Sequence, residues 1–223
     1  MQRVFVVGDI HGCFNTLENL LFEKCCITKY DRLILLGDII DRGPKIKETL
    51  QFIVDLIRQG YDIITIRGNH EQYMIDTLVN PKYLKNWFKN GGQSTLDSFC
   101  VMNPGFIDDE IVDYIFNTKY YHIEDNYLCV HGGLNFNISD PLEDKHAMLT
   151  TRNNYNMAHK INKLNMIVGH TPTPIEQIKL TLNTNLIKLD GGCVYHKRVK
   201  GLGHLVAFEL KSKQLFYTVN IEN

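Results

Sequence analysis

The sequence predicts an α/β (α+β) fold, on three observations. Over the first third of the chain, short β-like apolar runs alternate with stretches of helical apolar spacing. From about 72 to 117 the helical spacing continues without strands, and beyond it the strand-like runs return. With 223 residues, the chain can bury a sizeable core. A single domain over 1–223, carrying a helical insertion at about 72–117, is the expectation.

The first strand is expected at 4–7. A helix over 14–26 follows, with Leu17, Leu20 and Leu21 on one face. The run 32–36 is the second strand. A helix over 45–59 then carries Ile46, Leu50, Ile53, Val54 and Ile57 on one face and closes at Gly60. The run 62–66 completes a βαβαβ pattern, which predicts neighbouring parallel strands joined by right-handed crossovers. In such sheets functional groups collect outside the carboxyl ends of the strands.

In the helical stretch, Trp87, Phe88 and the segment 107–116 supply apolar anchors. Turns fall at Asn80-Pro81, Gly91-Gly92 and Asn103-Pro104-Gly105. We read it as an insertion covering one side of the sheet. Further strands are expected at 120–124, 127–130, 166–168, 186–189, 204–210 and 214–219. Asp125-Asn126 suits a two-residue hairpin turn, and a second hairpin is expected around Ser212.

With 24 basic and 25 acidic residues, the chain is close to neutral. That argues against extended nucleic-acid binding or attraction to an anionic membrane. No apolar run reaches the roughly 18 residues of a membrane span. The first strand begins next to Met1 and leaves no room for a signal peptide, so a cytoplasmic protein is expected. The six cysteines form no CxxC pair and read as reduced core thiols. Cys13 and Cys193 are exceptions: both fall beside polar clusters, where oxidants could reach them.

Those clusters carry the chemistry. Gly8-Asp9-Ile10-His11-Gly12, Gly37-Asp38-Ile39-Ile40-Asp41-Arg42-Gly43, Gly68-Asn69-His70-Glu71, His131-Gly132-Gly133 and Gly169-His170-Thr171 each follow an apolar run. Singly, a Gly-Asp pair is ordinary turn punctuation. Jointly, they supply the oxygen and imidazole donors that two divalent metals need. Two neighbouring cations repel, which favours an anionic bridge, and Asp38 is the best-placed carboxylate. Asp9 and His11 could hold one metal, and Asn69, His131 and His170 the other. Without a thiolate, the set suits manganese, iron or zinc better than copper.

The ordered series GDIHG, GDIIDRG, GNHE, HGG and GHT resembles the phosphoprotein phosphatase branch of the calcineurin-like metallophosphoesterases, closest to small bacterial and bacteriophage lambda-type enzymes. The resemblance runs from Val4 to His170 and extends to the segment at Asp190-Gly191-Gly192. It implies a β-sandwich flanked by helices. It places Asp9, His11 and Asp38 on one metal and Asp38, Asn69, His131 and His170 on the other. It makes His70 the general acid, Asp41 its orienting carboxylate, and Arg42 and Arg152 the phosphate-binding arginines. The implied reaction is in-line attack on phosphorus by a metal-bridging hydroxide.

Glu71 reads as a helix N-terminal carboxylate rather than a ligand. His122, His146, His159, His196 and His204 match no motif and read as surface or packing residues. Asn90-Gly91-Gly92 reads as a structural turn. The basic run His196-Lys197-Arg198-Val199-Lys200 is either a solvated loop or an attractor for a polyphosphate, an acidic phosphopeptide or an RNA end.

The leading expectation is a metal-dependent serine/threonine protein phosphatase acting on phosphoserine or phosphothreonine, with GNHE as the pointer to proteins. The alternative is a nucleotide enzyme that splits diadenosine tetraphosphate or an RNA cap with the same metals. A catalytically silent binding module is the third reading.

Overall fold

Strand β1 (Val4–Val7) buries all four of its side chains. The alternation of a strand sends Val4 and Val6 to one side of the sheet and Phe5 and Val7 to the other, and each side meets its own core. The sheet is therefore covered on both faces. The computed structural model describes residues 2–152 and 155–222. Met1, Asn153 (which adjoins Arg152), Asn154 and Asn223 lie outside the described residues.

In the first sheet the order is β3-β2-β1-β8-β9. Parallel β1, β2 (Arg32–Leu35) and β3 (Asp62–Thr65) are joined to the antiparallel pair β8 (His204–Glu209) and β9 (Leu215–Val219). The second sheet runs β4-β5-β6-β7. In it β4 (Tyr121–Glu124) and β5 (Tyr127–Val130) form the expected hairpin, while β6 (Asn165–Val168) and β7 (Leu186–Lys188) continue in parallel. Asp125 takes a left-handed backbone, φ +50°, as a two-residue turn requires.

Between the sheets lies an apolar layer to which Val4, Val6 and Ile34 contribute from one side and Cys129, Ile167 and Ile187 from the other. Interdigitated inner faces of this kind make a β-sandwich, and the expected flanked sandwich is observed. Outside the first sheet pack α1 (Phe14–Glu18), α2 (Ile46–Arg58), α3 (Asn69–Val79), α4 (Leu84–Lys89), α5 (Gln93–Phe99) and α6 (Asp109–Phe116). Trp87, Leu96, Ile111 and Ile115 of the helical stretch share one core with Leu50 and Ile53 of α2. Outside the second sheet, Leu128, Val130, Met166 and Val168 meet Leu134, Phe136 and Met148, the last on α7 (Lys145–Thr150). The short α8 (Ile175–Thr181) adds Ile178 to the layer between the sheets. No helix of the described residues is long and apolar enough to cross a membrane.

Two local expectations change. The helix read over 14–26 is regular only to Glu18 and continues as a π-helical segment over Asn19–Lys24, the wider winding that inserts an extra residue per turn. Cys13 and Cys193, expected to be open to oxidants, are both buried, whereas Cys26 and Cys100 are the exposed thiols. The polar clusters beside Cys13 and Cys193 face the site, while their own side chains pack into the core of α1 and the first sheet.

Asp31 ties the start of β1 to the loop that leads into β2. It accepts from Arg3 Nε at 2.9 Å and Nη2 at 2.6 Å, and from the Thr28 amide at 2.7 Å. Burial works to raise its carboxyl, but the hydrogen bonds from Arg3 and Thr28 outweigh that and leave it below its ordinary value. The unfolded chain then binds more protons in acid. The contribution is present above the ordinary carboxylate range and is lost as the pH falls through the depressed value. We predict that Asp31→Asn costs about 1 kcal/mol at neutral pH, discounted because Arg3 is partly in water. In urea titrations the deficit should shrink as the medium is made acidic; a deficit unchanged in acid would contradict the assignment.

Candidate metal centre

β1, β2 and β3 end on the same side of the first sheet, and β5, β6 and β7 do so in the second. The five polar clusters begin within a few residues of those carboxyl ends, and they stitch the two sheets together. His131, after β5, donates from Nδ1 to the carbonyl of Leu36 at the end of β2, 2.8 Å. The amide of His170, after β6, donates to both carboxylate oxygens of Asp9, after β1, at 3.1 and 3.0 Å.

The backbone is bent where the donors sit. His11 (φ +48°), Asp38 (φ +48°), Asp41 (φ +69°), Arg42 (φ +70°) and His170 (φ +64°) all occupy the left-handed region. Side chains other than glycine visit it at a cost, and such strain concentrates at functional sites. Two glycines leave room for carboxylates. A Cβ at Gly68 would overlap the Asp38 side chain, and one at Gly169 would overlap that of Asp9.

Asp38 is the centre. Its Oδ1 lies 3.4 Å from His131 Nε2 and accepts from the His70 amide at 3.1 Å, at the N-terminus of α3. Its Oδ2 lies 3.6 Å from His11 Nε2 and 3.9 Å from His70 Nε2. The carboxylate therefore faces donors on two sides. His131 Nε2 also stands 3.1 Å from Asn69 Oδ1 and 3.1 Å from His170 Nδ1. The ligating atoms of His11, Asp38 and His70 lie within 4.8 Å of one another, as do those of Asp38, His131 and His170. Asp9 belongs to neither triplet and joins the cluster through the His170 amide. Arg152 stands exposed at the rim, with Nη1 directed at the His170 carbonyl, 3.4 Å away.

The donor set fits a metal pair. His11 and His131 each spend Nδ1–H on a backbone carbonyl, that of Ile40 or Leu36, at 2.8 Å. This turns Nε2 into the cluster, the usual arrangement of a metal-ligating histidine. Cationic Arg42 Nη1 approaches His11 Nε2 to 2.8 Å. Charge burial makes the same demand. Burial, with the neighbouring Asp190 and Asp38 carboxylates, pushes Asp9 well above its ordinary value. Burial likewise pushes Asp190 up to about 6. Burial works to raise Asp38 too, but the imidazoles of His131 and His70 outweigh it and hold that carboxyl well below its usual range. Burial lowers the His131 ring as well, yet the Asp38 charge and hydrogen bond raise it to about 10. Burial takes His11 and His170 down to about 3. Asp38 thus favours its charged carboxylate and His131 its charged imidazolium, 3.4 Å apart, and bound cations would take the place of that positive charge.

His70 is set differently. Its ring is fully buried, with Nδ1 2.6 Å from Asp41 Oδ2, and its Nε2 has no hydrogen-bond partner. Asp41 is gripped in turn by Trp87 Nε1 at 2.9 Å and by Thr95 Oγ1 at 2.6 Å. The helical stretch thus reaches the site by holding the carboxylate that holds His70. The sequence reading missed Trp87 and Thr95, because nothing in the local spacing links them to Asp41. Glu71 is a helix N-terminal carboxylate, as expected, but it does more. Its two oxygens accept from the amides of Asp38, Ile39, Ile40 and Gly68, locking the Asp38 loop to the start of α3. Its signal was its place three residues after Gly68, where a helix N-terminus is capped.

A cavity of about 250 Å³ opens over the cluster, with Arg42, Tyr73, Asn90, Arg152 and Tyr195 in its wall. The Arg42 guanidinium lies 5.8 Å from the centre of the Tyr195 ring, and the Asn90-Gly91-Gly92 turn backs it, with the Gly91 carbonyl accepting from the Arg42 amide at 3.4 Å.

The sequence profile described as calcineurin-like phosphoesterase matches residues 2–204. The chain is 41% identical over 133 residues to the symmetrical bis(5'-nucleosyl)-tetraphosphatase of Vibrio parahaemolyticus, covering 60% of this chain and 45% of that protein. It is 40% identical over 91 residues to serine/threonine-protein phosphatase 1 of Salmonella typhimurium, covering 41% of this chain and 39% of that one. Each match thus spans less than half of the relative's own length. A solved protein serine/threonine phosphatase from Saccharomyces cerevisiae shares the fold at 18% identity, with a TM-score of 0.68 over 100% of this chain and 81% of that chain. A profile that runs through nearly the whole chain, over a sandwich with its donors gathered at the carboxyl ends of both sheets, shows that this protein belongs to the calcineurin-like phosphoesterase family.

Proposed function

We propose that the chain is a metal-dependent phosphatase that transfers a phosphoryl group to water. The observation that carries this reading is the buried Asp38 carboxylate, with His11 on one oxygen and His131 on the other. In this reading Asp9, His11 and Asp38 hold one divalent cation, and Asp38, Asn69, His131 and His170 hold the second, with manganese, iron or zinc suited to such donors. When bound, such a pair supplies the Lewis acidity that acidifies water and neutralises phosphoryl charge.

The remaining roles fall to the chain's own groups. Arg42 and Arg152 flank the cavity, and a guanidinium fork matches phosphoryl oxygens at two points. Asp41 accepts from His70 Nδ1–H and fixes the ring's orientation, so that a proton carried on Nε2 can pass to the departing oxygen. Nε2 lies on the Asp38 side of the ring, unpaired and ready for that oxygen. Trp87 and Thr95 keep Asp41 from turning away.

Within the class, the Gly68-Asn69-His70-Glu71 motif and the Salmonella relative support a phosphoserine or phosphothreonine substrate. The tetraphosphatase relative, matched over a longer stretch, supports a dinucleoside polyphosphate. Rates on a phosphopeptide and on diadenosine tetraphosphate, each with added manganese, separate the two. In either case His70→Asn should leave metal content unchanged and lower kcat by about a hundredfold or more, the scale of a lost general acid. A variant of near-normal kcat would remove His70 from the reaction, and a wild-type protein inactive on both substrates and on p-nitrophenyl phosphate would end the phosphatase reading.

A further inference from the structure

Arg42 is shared between two cavities. One is the opening over the donor cluster. The other, of about 340 Å³, lies on the far side of Arg42 and is lined by His196, Lys197 and Arg198 of the basic run, with Glu222 at its edge. Its volume falls within the span of about 300–1,000 Å³ that small-ligand sites occupy. The basic run is therefore a wall of a cavity that adjoins the site.

The run is a folded turn. Gly192 has φ +65° and opens a short 3₁₀ turn over Cys193–Tyr195. The amides of Arg198 and Val199 then return to the Tyr195 carbonyl at 2.9 and 3.0 Å, and Lys197 takes a left-handed φ of +60°. Tyr195 is also the ring that lies beside the Arg42 guanidinium, so a single turn positions Arg42 from beneath and carries Lys197 and Arg198 to the next cavity. Three cations face the space. Opposing them is Glu222, whose Oε1 is already occupied by the amide and hydroxyl of Thr16 at 2.9 and 3.1 Å. Positive charge prevails, and a concave site of one sign concentrates anions of the other.

We propose that this cavity is a second phosphoryl subsite, so that the substrate is an oligophosphate held at two phosphoryl groups, one over the donor cluster and one by Lys197 and Arg198. The proposal rests on reading the donor cluster as a phosphatase centre. The cavity opens to solvent, and its limited volume of about 340 Å³ suits one compact anionic group, whereas an acidic peptide would need an extended groove for successive residues. Arg42, in the wall between the cavities, can hold oxygens of both groups through its planar fork.

The test compares kcat/KM on inorganic tripolyphosphate and on p-nitrophenyl phosphate at matched free manganese, with an acidic phosphopeptide as a third arm. The double variant Lys197→Gln/Arg198→Gln should lose about tenfold on tripolyphosphate relative to p-nitrophenyl phosphate, the effect of removing two partly screened charge contacts. Lys197→Gln alone, a change of one exposed side chain, should lose about threefold and stands in should the double variant not fold. An unchanged ratio in the variants, with wild-type hydrolysis intact, would overturn the subsite and leave the phosphatase reading standing. A loss confined to the phosphopeptide would overturn it in favour of a peptide surface. Wild-type protein inactive on every arm would bring down the phosphatase reading and this proposal together.

Discussion

Asp38 carries a negative charge at the bottom of a cleft, with almost none of its surface in water. Burying an ion costs several kcal/mol unless partners surround it, and most of the site can be read as those partners. The first turn of α3 offers the His70 amide, with the helix dipole behind it. His11 and His131 present ring nitrogens to opposite oxygens. Glu71 fixes the amides on either side, so the loop cannot swing the carboxylate out to solvent. The partners come from the ends of three strands, β1, β3 and β5, in two different sheets, and the two sheets must therefore stack as they do for the charge to be satisfied.

The cluster also explains how strain is distributed. Five of its residues hold a left-handed backbone, an arrangement that the surrounding structure has to enforce. The enforcement comes from the sandwich core beneath and from hydrogen bonds between the sheets above. The helical stretch adds a third brace through Trp87 and Thr95 on Asp41. A segment that looks remote from the chemistry thereby sets the orientation of His70.

Much of this was legible in the sequence. Each donor follows a short apolar run, so the strand pattern alone sent the donors to one end of the sheets, and the βαβαβ order, both hairpins and the helical stretch appear where the spacing placed them. What stayed hidden depends on contacts between distant positions. Trp87 and Asp41 are 46 residues apart, and no local pattern connects them. Burial of Cys13 and Cys193 follows from how α1 and the Cys193 turn pack, which proximity to polar clusters could not reveal. The basic run could be read two ways as sequence; only its placement beside Arg42 made it the wall of a cavity.

Elemental analysis combined with anomalous diffraction of crystals grown with manganese tests the central claim most directly. Two cations per chain, with Asp38 between them and His11 and His131 on opposite sides, is the result the geometry predicts. A single cation, or none within reach of Asp38, would contradict it.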